Sequence, residues 1–139
     1  MKLNIFAYGT LMIPSVMHAV TGRHFWLQKA ILRDYARFRV KGESYPGIIP
    51  VTDAITEGIV YFNVNEFSLE QLDIFEGDLY ERIGVRVETE EKEMLDAQAY
   101  VIQSKYLGYL SRTAWDVEEF IKKDLEMFLM TYSGFPKNI

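Results

Sequence analysis

Strand-like segments dominate this chain, and they do not alternate with helices as strands do in a parallel α/β sheet. These segments cover residues 3–8, 25–41, 58–64, 80–90 and 97–103, with a loop or short helix at 15–20. Helical spacing marks one short segment in the middle of the chain and one long segment near its end. This order predicts an α+β fold in which helices pack against an antiparallel or mixed sheet that can close into a barrel.

Period-two alternation is clearest in residues 25–41. Apolar residues lie at even positions, whereas the odd positions hold the basic residues Lys29, Arg33, Arg37, Arg39 and Lys41. The pattern predicts a strand with one solvated face. A basic face can also attract an anionic substrate, but solvation is the simpler interpretation. Gly42 and Tyr45-Pro46-Gly47 are expected to end the strand, and Pro50 to mark a sheet edge.

The two predicted helices have recognisable ends. Ser68 is expected to be the N-cap of the short helix, with Gln71 completing a capping box and Gly77 following the last residue. The long helix should start after Asp116 and continue to Gly134, with an apolar stripe against the sheet. That stripe consists of Val117, Phe120, Ile121, Leu125, Phe128, Leu129 and Tyr132. Between the helices, the acidic segment 88–96 should form a solvated hairpin connection.

Size and composition narrow the classes of function. The 139 residues suit one domain, spanning 1–139. The net charge of -5 argues against nucleic acid as a main partner. There is no cysteine, and therefore no thiolate nucleophile. No segment approaches the roughly 20 apolar residues that span a membrane, and the first residues lack the features of a signal peptide. We therefore expect a cytoplasmic protein whose oligomeric state the sequence leaves open.

Glu76 is the most informative polar residue. Leu69, Leu72 and Glu76 share one helix face, so a carboxylate continues the stripe that should face the core. Burial and the negative end of the helix both disfavour the ionised form, so the pKa of Glu76 should be raised. A carboxyl group of this kind suits general acid-base catalysis near neutral pH. The alternative is a rotated helix in which Glu76 is solvated or paired with Arg82.

The turn after the first strand is a second candidate site. Gly9, within Tyr8-Gly9-Thr10-Leu11, lets backbone amides approach and donate to an anion, although such a glycine can also serve a simple turn. Tyr45, Tyr80 and Arg82 lie beside other turns, where they could line a pocket, although tyrosines in a sheet often belong to the core.

Other chemistries are poorly supported. Ser15, His18 and Asp34 supply the residue types of a triad, but no nucleophile elbow surrounds Ser15. His18 and His24 belong to no metal-ligand motif, so we expect no metal site. Neither a P-loop nor a dinucleotide glycine motif occurs.

Four segments, taken in order, carry a resemblance to a known superfamily. They are Tyr8-Gly9-Thr10-Leu11-Met12, Tyr45-Pro46-Gly47-Ile48-Ile49-Pro50, Leu72-Asp73-x-Phe75-Glu76-Gly77 and Tyr80-x-Arg82. Together they resemble the gamma-glutamylcyclotransferase-like superfamily. Trp115-Asp116, Glu118-Glu119 and Met130-Thr131 make the chain similar to the branch that contains the plant avirulence-induced-gene-like proteins.

The resemblance implies a small, largely antiparallel β-barrel with flanking helices. It also implies a cofactor-independent enzyme that releases 5-oxoproline from a small gamma-glutamyl amine or peptide, with Glu76 as the catalytic glutamate. The substrate-binding residues that it implies are the loop residues Tyr8, Gly9, Thr10, Leu11, Met12 and Ile13, together with Tyr45, Tyr80 and Arg82. The leaving amine stays open: an amino acid, the ε-amine of lysine, a polyamine or the rest of glutathione.

Two other classes of function remain open from the sequence. A binding module would keep the pocket for an acidic or gamma-glutamyl metabolite without turnover. A purely structural interaction domain would need no pocket at all, and it would leave an inward Glu76 unexplained.

Overall fold

The computed structural model describes residues 2–130, which form six strands and three α-helices. The strands are β1 (Lys2–Ala7), β2 (Leu27–Val40), β3 (Pro46–Asn65), β4 (Tyr80–Thr89), β5 (Met94–Ile102) and β6 (Leu110–Ala114). The helices are α1 (Pro14–Thr21), α2 (Glu66–Glu76) and α3 (Val117–Lys123). Short 3-10 helices cover Thr10–Met12 and Ser104–Tyr109. None of the helices described is long and apolar enough to cross a membrane.

The strands form one sheet that curls into a ring. Their order is β3-β1-β5-β4-β2-β6, and a further pairing of β2 with β3 closes the ring, with β6 paired to β2. Neighbouring strands are antiparallel except β1 and β5, which are parallel. The ring is unevenly closed, because β2 and β4 pair only at Ala30–Thr89 and Ile31–Glu88. The predicted α+β fold, with a largely antiparallel sheet and flanking helices, is confirmed, and the sheet forms a barrel-like ring that is not evenly closed.

Two apolar clusters lie on opposite faces of the strands. One contains Ile5 and Ala7 of β1 with helix residues such as Met17 and Leu72, so it fills the space between sheet and helices. The other contains Phe6 and Tyr8 with residues of the strands alone, so it fills the barrel interior. Since successive residues of a strand point to opposite faces, β1 supplies both clusters.

The short helix α2 begins earlier than predicted. Its N-cap is Asn65 rather than Ser68. Ser68 lies inside the helix and is fully buried, and its hydroxyl donates to Oδ1 of Asn65 at 2.7 Å. A serine followed by glutamine three residues later therefore does not mark the start of this helix. The predicted end is confirmed, because Gly77 follows Glu76 with φ of 75°.

The strand predicted at residues 58–64 is longer than expected, because β3 already begins at Pro46. The strand continues through Pro50, which pairs with Tyr35 of β2. Residues 46–50 pair only with β2 in the registers of the described sheet, so the prediction that Pro50 marks an edge is confirmed.

The basic face of β2 is only partly solvated. Asp34 has φ of 68°, and the register with β3 shifts between Arg33 and Tyr35. Beyond this irregularity the alternation of exposed and buried residues is lost. Arg37 is partly buried there, so the prediction of a fully solvated basic face is wrong at this residue.

The last helix begins after Asp116, whose side chain accepts a hydrogen bond from the amide of Glu119. Contrary to the prediction of one long helix, α3 ends at Lys123, and a turn at Asp124 precedes a second helical stretch at 125–130. Phe120 is buried in the cluster between sheet and helices, as its stripe predicts. Tyr132 and Gly134 lie outside the described residues. The hairpin connection between β4 and β5 is confirmed.

Candidate active site

A narrow cavity of about 20 Å³ lies where β1 ends, and separate parts of the chain line it. Seven residues predicted from the sequence lie in its wall: Tyr8, Gly9, Thr10, Leu11, Tyr45, Glu76 and Tyr80. Phe6, Ala7, Pro46 and Tyr100 complete the lining and were not predicted. Tyr45 and Glu76 are partly exposed whereas the other lining residues are buried, so the cavity opens to solvent between these two.

Three predicted residues lie outside the cavity wall. Met12 and Ile13 continue the loop away from the cavity, and Ile13 is buried in the cluster between sheet and helices. Arg82 pairs with Asp73, another carboxylate of α2, and is not among the lining residues. These three residues therefore belong to the supporting structure of the described cavity rather than to its surface.

Gly9 allows the loop after β1 to approach Pro46 on the opposite side of the cavity closely. A Cβ atom at Gly9 would lie 2.9 Å from Cδ and Cγ of Pro46. The requirement is close approach rather than backbone freedom, because φ of Gly9 is -124°. Any larger residue must push the loop and Pro46 apart.

The loop amides beside Gly9 are available to a ligand. Met12 donates to the carbonyl of Gly9, and Ile13 to that of Thr10, which closes a short 3-10 turn. Within residues 2–130 the amides of Gly9 and Leu11 have no protein acceptor. The first N–H groups of a helical turn have no partner inside the turn, so they can bind an anionic oxygen.

Glu76 lies at the C-terminal end of α2, where buried Leu69 and Leu72 fix the helix against the core. Burial, followed by the negative charge of Asp73, raises the pKa of Glu76 from its ordinary 4.5 to about 8. The predicted direction is confirmed, with Asp73 as an additional cause. A carboxyl group with this pKa exchanges protons near neutral pH.

Asp73, one turn before Glu76, is held by two partners. Arg82 binds it through one edge of its guanidinium, with Nε donating to Oδ1 at 2.9 Å and Nη2 to Oδ2 at 3.2 Å. The hydroxyl of Tyr100 donates to Oδ1 at 2.6 Å. The alternative pairing of Arg82 with Glu76 is therefore wrong. Because its charge is paired with Asp73, Arg82 does not neutralise Glu76.

Buried tyrosine hydroxyls fix the backbone around the cavity. Tyr80 donates to the carbonyl of Pro46 at 2.6 Å, Tyr61 to that of Leu11 at 2.6 Å, and Tyr8 to that of Tyr100. Burial is the main cause that raises the pKa of Tyr8, Tyr61 and Tyr80 well above the ordinary tyrosine value. These hydroxyls therefore keep their protons and act as hydrogen-bond donors to main-chain carbonyls.

The lining of the cavity contains no permanently charged side chain. None of its lining residues is lysine, arginine or histidine, and Glu76 is the carboxyl group in its wall. A cationic group of a ligand can pair with Glu76, whereas an anionic group depends on the loop amides. No cluster of three or more His, Asp or Glu residues that could hold a metal ion is found in the described part of the chain.

Comparison with known proteins identifies the family of this chain. Residues 5–117 match the family described as "Gamma-glutamyl cyclotransferase, AIG2-like". This chain therefore belongs to that family, as the resemblance of its motifs implied.

Individual relatives extend over nearly the whole chain. AIG2-like protein D of Arabidopsis thaliana is 34% identical over 138 residues, covering 98% of this chain and 90% of that protein. A solution structure from Arabidopsis thaliana has a TM-score of 0.73 at 29% identity and covers 99% of this chain and 86% of its own. A structure named gamma-glutamyl cyclotransferase has a TM-score of 0.65 at 22% identity, covering 74% of this chain and 68% of its own. At that identity the likeness shows the fold alone.

Proposed function

We propose that this protein cyclises the gamma-glutamyl group of a small gamma-glutamyl amine or peptide, releasing 5-oxoproline and the free amine. The observation that supports this most directly is the convergence of Glu76 and the Gly9 loop on one cavity, although 67 positions separate them in the sequence. Family membership adds to this support, since the family is described as gamma-glutamyl cyclotransferase, AIG2-like.

Glu76 carries out both proton transfers of the proposed reaction. The neutral α-amine of the substrate attacks the γ-carbonyl carbon and forms the C–N bond of the five-membered lactam, and the carboxylate of Glu76 takes the proton that this nitrogen loses. The protonated Glu76 gives the same proton to the leaving amine as the original C–N bond breaks. Atoms and charge balance without a cofactor, and holding the glutamyl chain folded can contribute about 7–11 kcal/mol through proximity.

The loop amides supply the anion contacts of the proposed reaction. With no basic side chain in the cavity wall, a substrate carboxylate or a developing oxyanion depends on donors such as the amides of Gly9 and Leu11. The free cavity holds about as much as one water molecule. Tyr45, which lies at its opening, is therefore expected to move aside when a glutamyl chain binds.

A panel of gamma-glutamyl compounds tests the proposal. Substrates with an amino acid, the lysine ε-amine, a polyamine or cysteinylglycine as leaving group are incubated with the protein, and 5-oxoproline is quantified by mass spectrometry. We expect 5-oxoproline from at least one substrate, loss of it in Glu76→Gln, and full activity in Glu70→Gln, a change at an exposed residue of the same helix.

Absence of 5-oxoproline across the whole panel contradicts the proposed activity. Stabilisation of the protein against heat by 5-oxoproline or a panel compound, without any product, would instead favour a binding module. Normal turnover by Glu76→Gln contradicts the role given to Glu76.

A further inference from the structure

Arg37 of β2 reaches the backbone of the Gly9 loop from outside the cavity. Its Nη1 donates to the carbonyl oxygen of Tyr8 at 2.7 Å and to that of Glu57 at 2.9 Å. Arg37 is not part of the cavity wall. It instead fixes the peptide that links the end of β1 to the loop.

The hydrogen bond from Arg37 to the Tyr8 carbonyl determines the direction in which the N–H of Gly9 points. In a trans peptide the C=O and the following N–H point to opposite sides of the chain, and the described residues contain no cis peptide. Since the Tyr8 carbonyl points to Arg37, the N–H of Gly9 points away from Arg37. Gly9 lines the cavity, and its amide has no protein acceptor within residues 2–130.

Arg37 is itself held in place. Its guanidinium lies over the ring of Trp115, with Cζ 5.4 Å from the centroid. Trp115 is buried, and its Nε1 donates to the carbonyl of Ser44, next to Tyr45 in the opposite wall. The Arg37–Trp115 pair thus joins the two loops that face each other across the cavity.

We propose that Arg37 is a positioning residue that orients the Gly9 amide into the cavity by holding the Tyr8 carbonyl, so that this amide can bind an anionic oxygen of the ligand. The catalytic part of this inference rests on the proposed function, whereas the part that concerns the loop does not.

Burial of an arginine for two carbonyl bonds has a cost, which supports a specific role. Desolvation lowers the pKa of Arg37, and Glu57, Asp116 and Tyr8 act in the opposite direction. Within the described residues its side chain forms no salt bridge at hydrogen-bonding distance, unlike Arg33 and Arg82. Its short hydrogen bonds go to the main-chain carbonyls of Tyr8 and Glu57, and Nη1 also lies 3.9 Å from the sulfur of Met12.

The test compares Arg37→Met with three other variants. Arg37→Lys keeps a cationic donor, and Arg33→Met removes an exposed arginine of the same strand that pairs with Glu88. Val64→Ala removes two buried methyl groups beside Leu3, at the end of β1 that is far from the loop. This variant controls for lost stability. Backbone amide resonances are assigned for each folded protein, and kcat/KM is measured with the best substrate of the panel.

We expect Arg37→Met to shift or broaden the amide resonances of Gly9 and Thr10 while those of β4 and β5 stay in place. Misplacing one donor to an anionic oxygen should lower kcat/KM by about 10- to 100-fold. The pH at which kcat/KM changes should stay the same, since Arg37 does not contact Glu76. Arg37→Lys should recover part of the loss, and the two control variants should retain wild-type kcat/KM.

Unchanged Gly9 and Thr10 resonances in Arg37→Met overturn the inference, whatever the activity. A fall in kcat/KM that Val64→Ala reproduces at equal stability also overturns it. If the wild-type protein turns over no substrate while Arg37→Met still displaces the loop resonances, the proposed function fails and the positioning of the loop stands. If Arg37→Met does not fold, Arg37→Lys is compared with the wild-type protein instead. Shifted or broadened amide resonances of Gly9 and Thr10 then support the inference, and unchanged resonances overturn it.

Discussion

The raised pKa of Glu76 makes a prediction about stability that needs no substrate. In the unfolded chain this carboxyl group loses its proton near its ordinary pKa of 4.5, whereas in the folded protein it keeps the proton up to about pH 8. Between these values the native state binds more protons than the unfolded state. The free energy of unfolding must therefore fall as the pH rises from about 5 to 8.

The size of the effect follows from the two pKa values. At about 1.36 kcal/mol for each pH unit, the full difference amounts to about 5 kcal/mol. Glu76 is partly exposed at the opening of the cavity, so solvent screening reduces this, and we expect about 3 kcal/mol. Glu76→Gln, which resembles the protonated acid in shape, removes the titration and should abolish this contribution.

Urea unfolding of the wild-type protein and of Glu76→Gln, at intervals from pH 5 to 9, measures the effect. The two proteins should be about equally stable at pH 5. Glu76→Gln should then become more stable than the wild-type protein as the pH rises, with the difference levelling off above about pH 8. Other titrating groups are common to both proteins and cancel in the difference.

The control is Glu70→Gln, which changes an exposed residue on the same helix and should show no comparable trend. A difference between wild type and Glu76→Gln that stays constant across this pH range would refute the reasoning. A difference that grows towards low pH would refute it as well, because that sign belongs to a carboxylate stabilised in its ionised form.

Three further predictions concern the surroundings of the cavity. Since the charge of Asp73 raises the pKa of Glu76, Asp73→Asn should move the midpoint of the pH profile of kcat/KM down by roughly one unit. Arg82→Met, which leaves Asp73 without its cation, should move that midpoint up; unmoved midpoints in both variants would contradict this coupling. Gly9→Ala should lower kcat/KM about 10-fold or more, because its Cβ meets Pro46 at 2.9 Å, and wild-type kinetics would contradict the need for this close approach. Gly58→Ala places a Cβ against the carbonyl of Ala7 and should lower the free energy of unfolding by about 1–3 kcal/mol in urea titration, whereas unchanged stability would show that β1 and β3 can separate freely.

Local signals predicted much of the fold and the centre of the candidate site. Gly77 follows α2 in a left-handed conformation, which few other residues adopt, so the sequence marks the helix end directly. The spacing of Leu69, Leu72 and Glu76 is likewise a property of one helix, and it predicted an inward carboxyl group while leaving a rotated helix as an alternative. That residues 1–139 form a single domain remains a prediction.

The sequence pattern did not predict the contacts between distant segments of the chain. Arg82 and Tyr100 are direct neighbours across β4 and β5, and both meet Asp73 of α2. This set depends on strand register and on how the helix docks, neither of which is encoded locally. Arg37 was misassigned for a related reason, because the irregularity at Asp34 interrupts the alternation on which the prediction relied. Ser68 fits a capping pattern, but it is buried inside α2 and does not cap the helix.

Isotope labelling tests the central claim, that Glu76 lets the substrate's own α-amine displace the leaving amine. A gamma-glutamyl amine labelled with 15N at its α-amine is incubated with the protein in H2 18O, and the products are weighed by mass spectrometry. We predict 5-oxoproline that retains 15N and contains no 18O, formed in equal amount with the free amine and absent with Glu76→Gln. Glutamate carrying 18O would instead show attack by water, and that result, or equal 5-oxoproline formation by Glu76→Gln, would contradict the account.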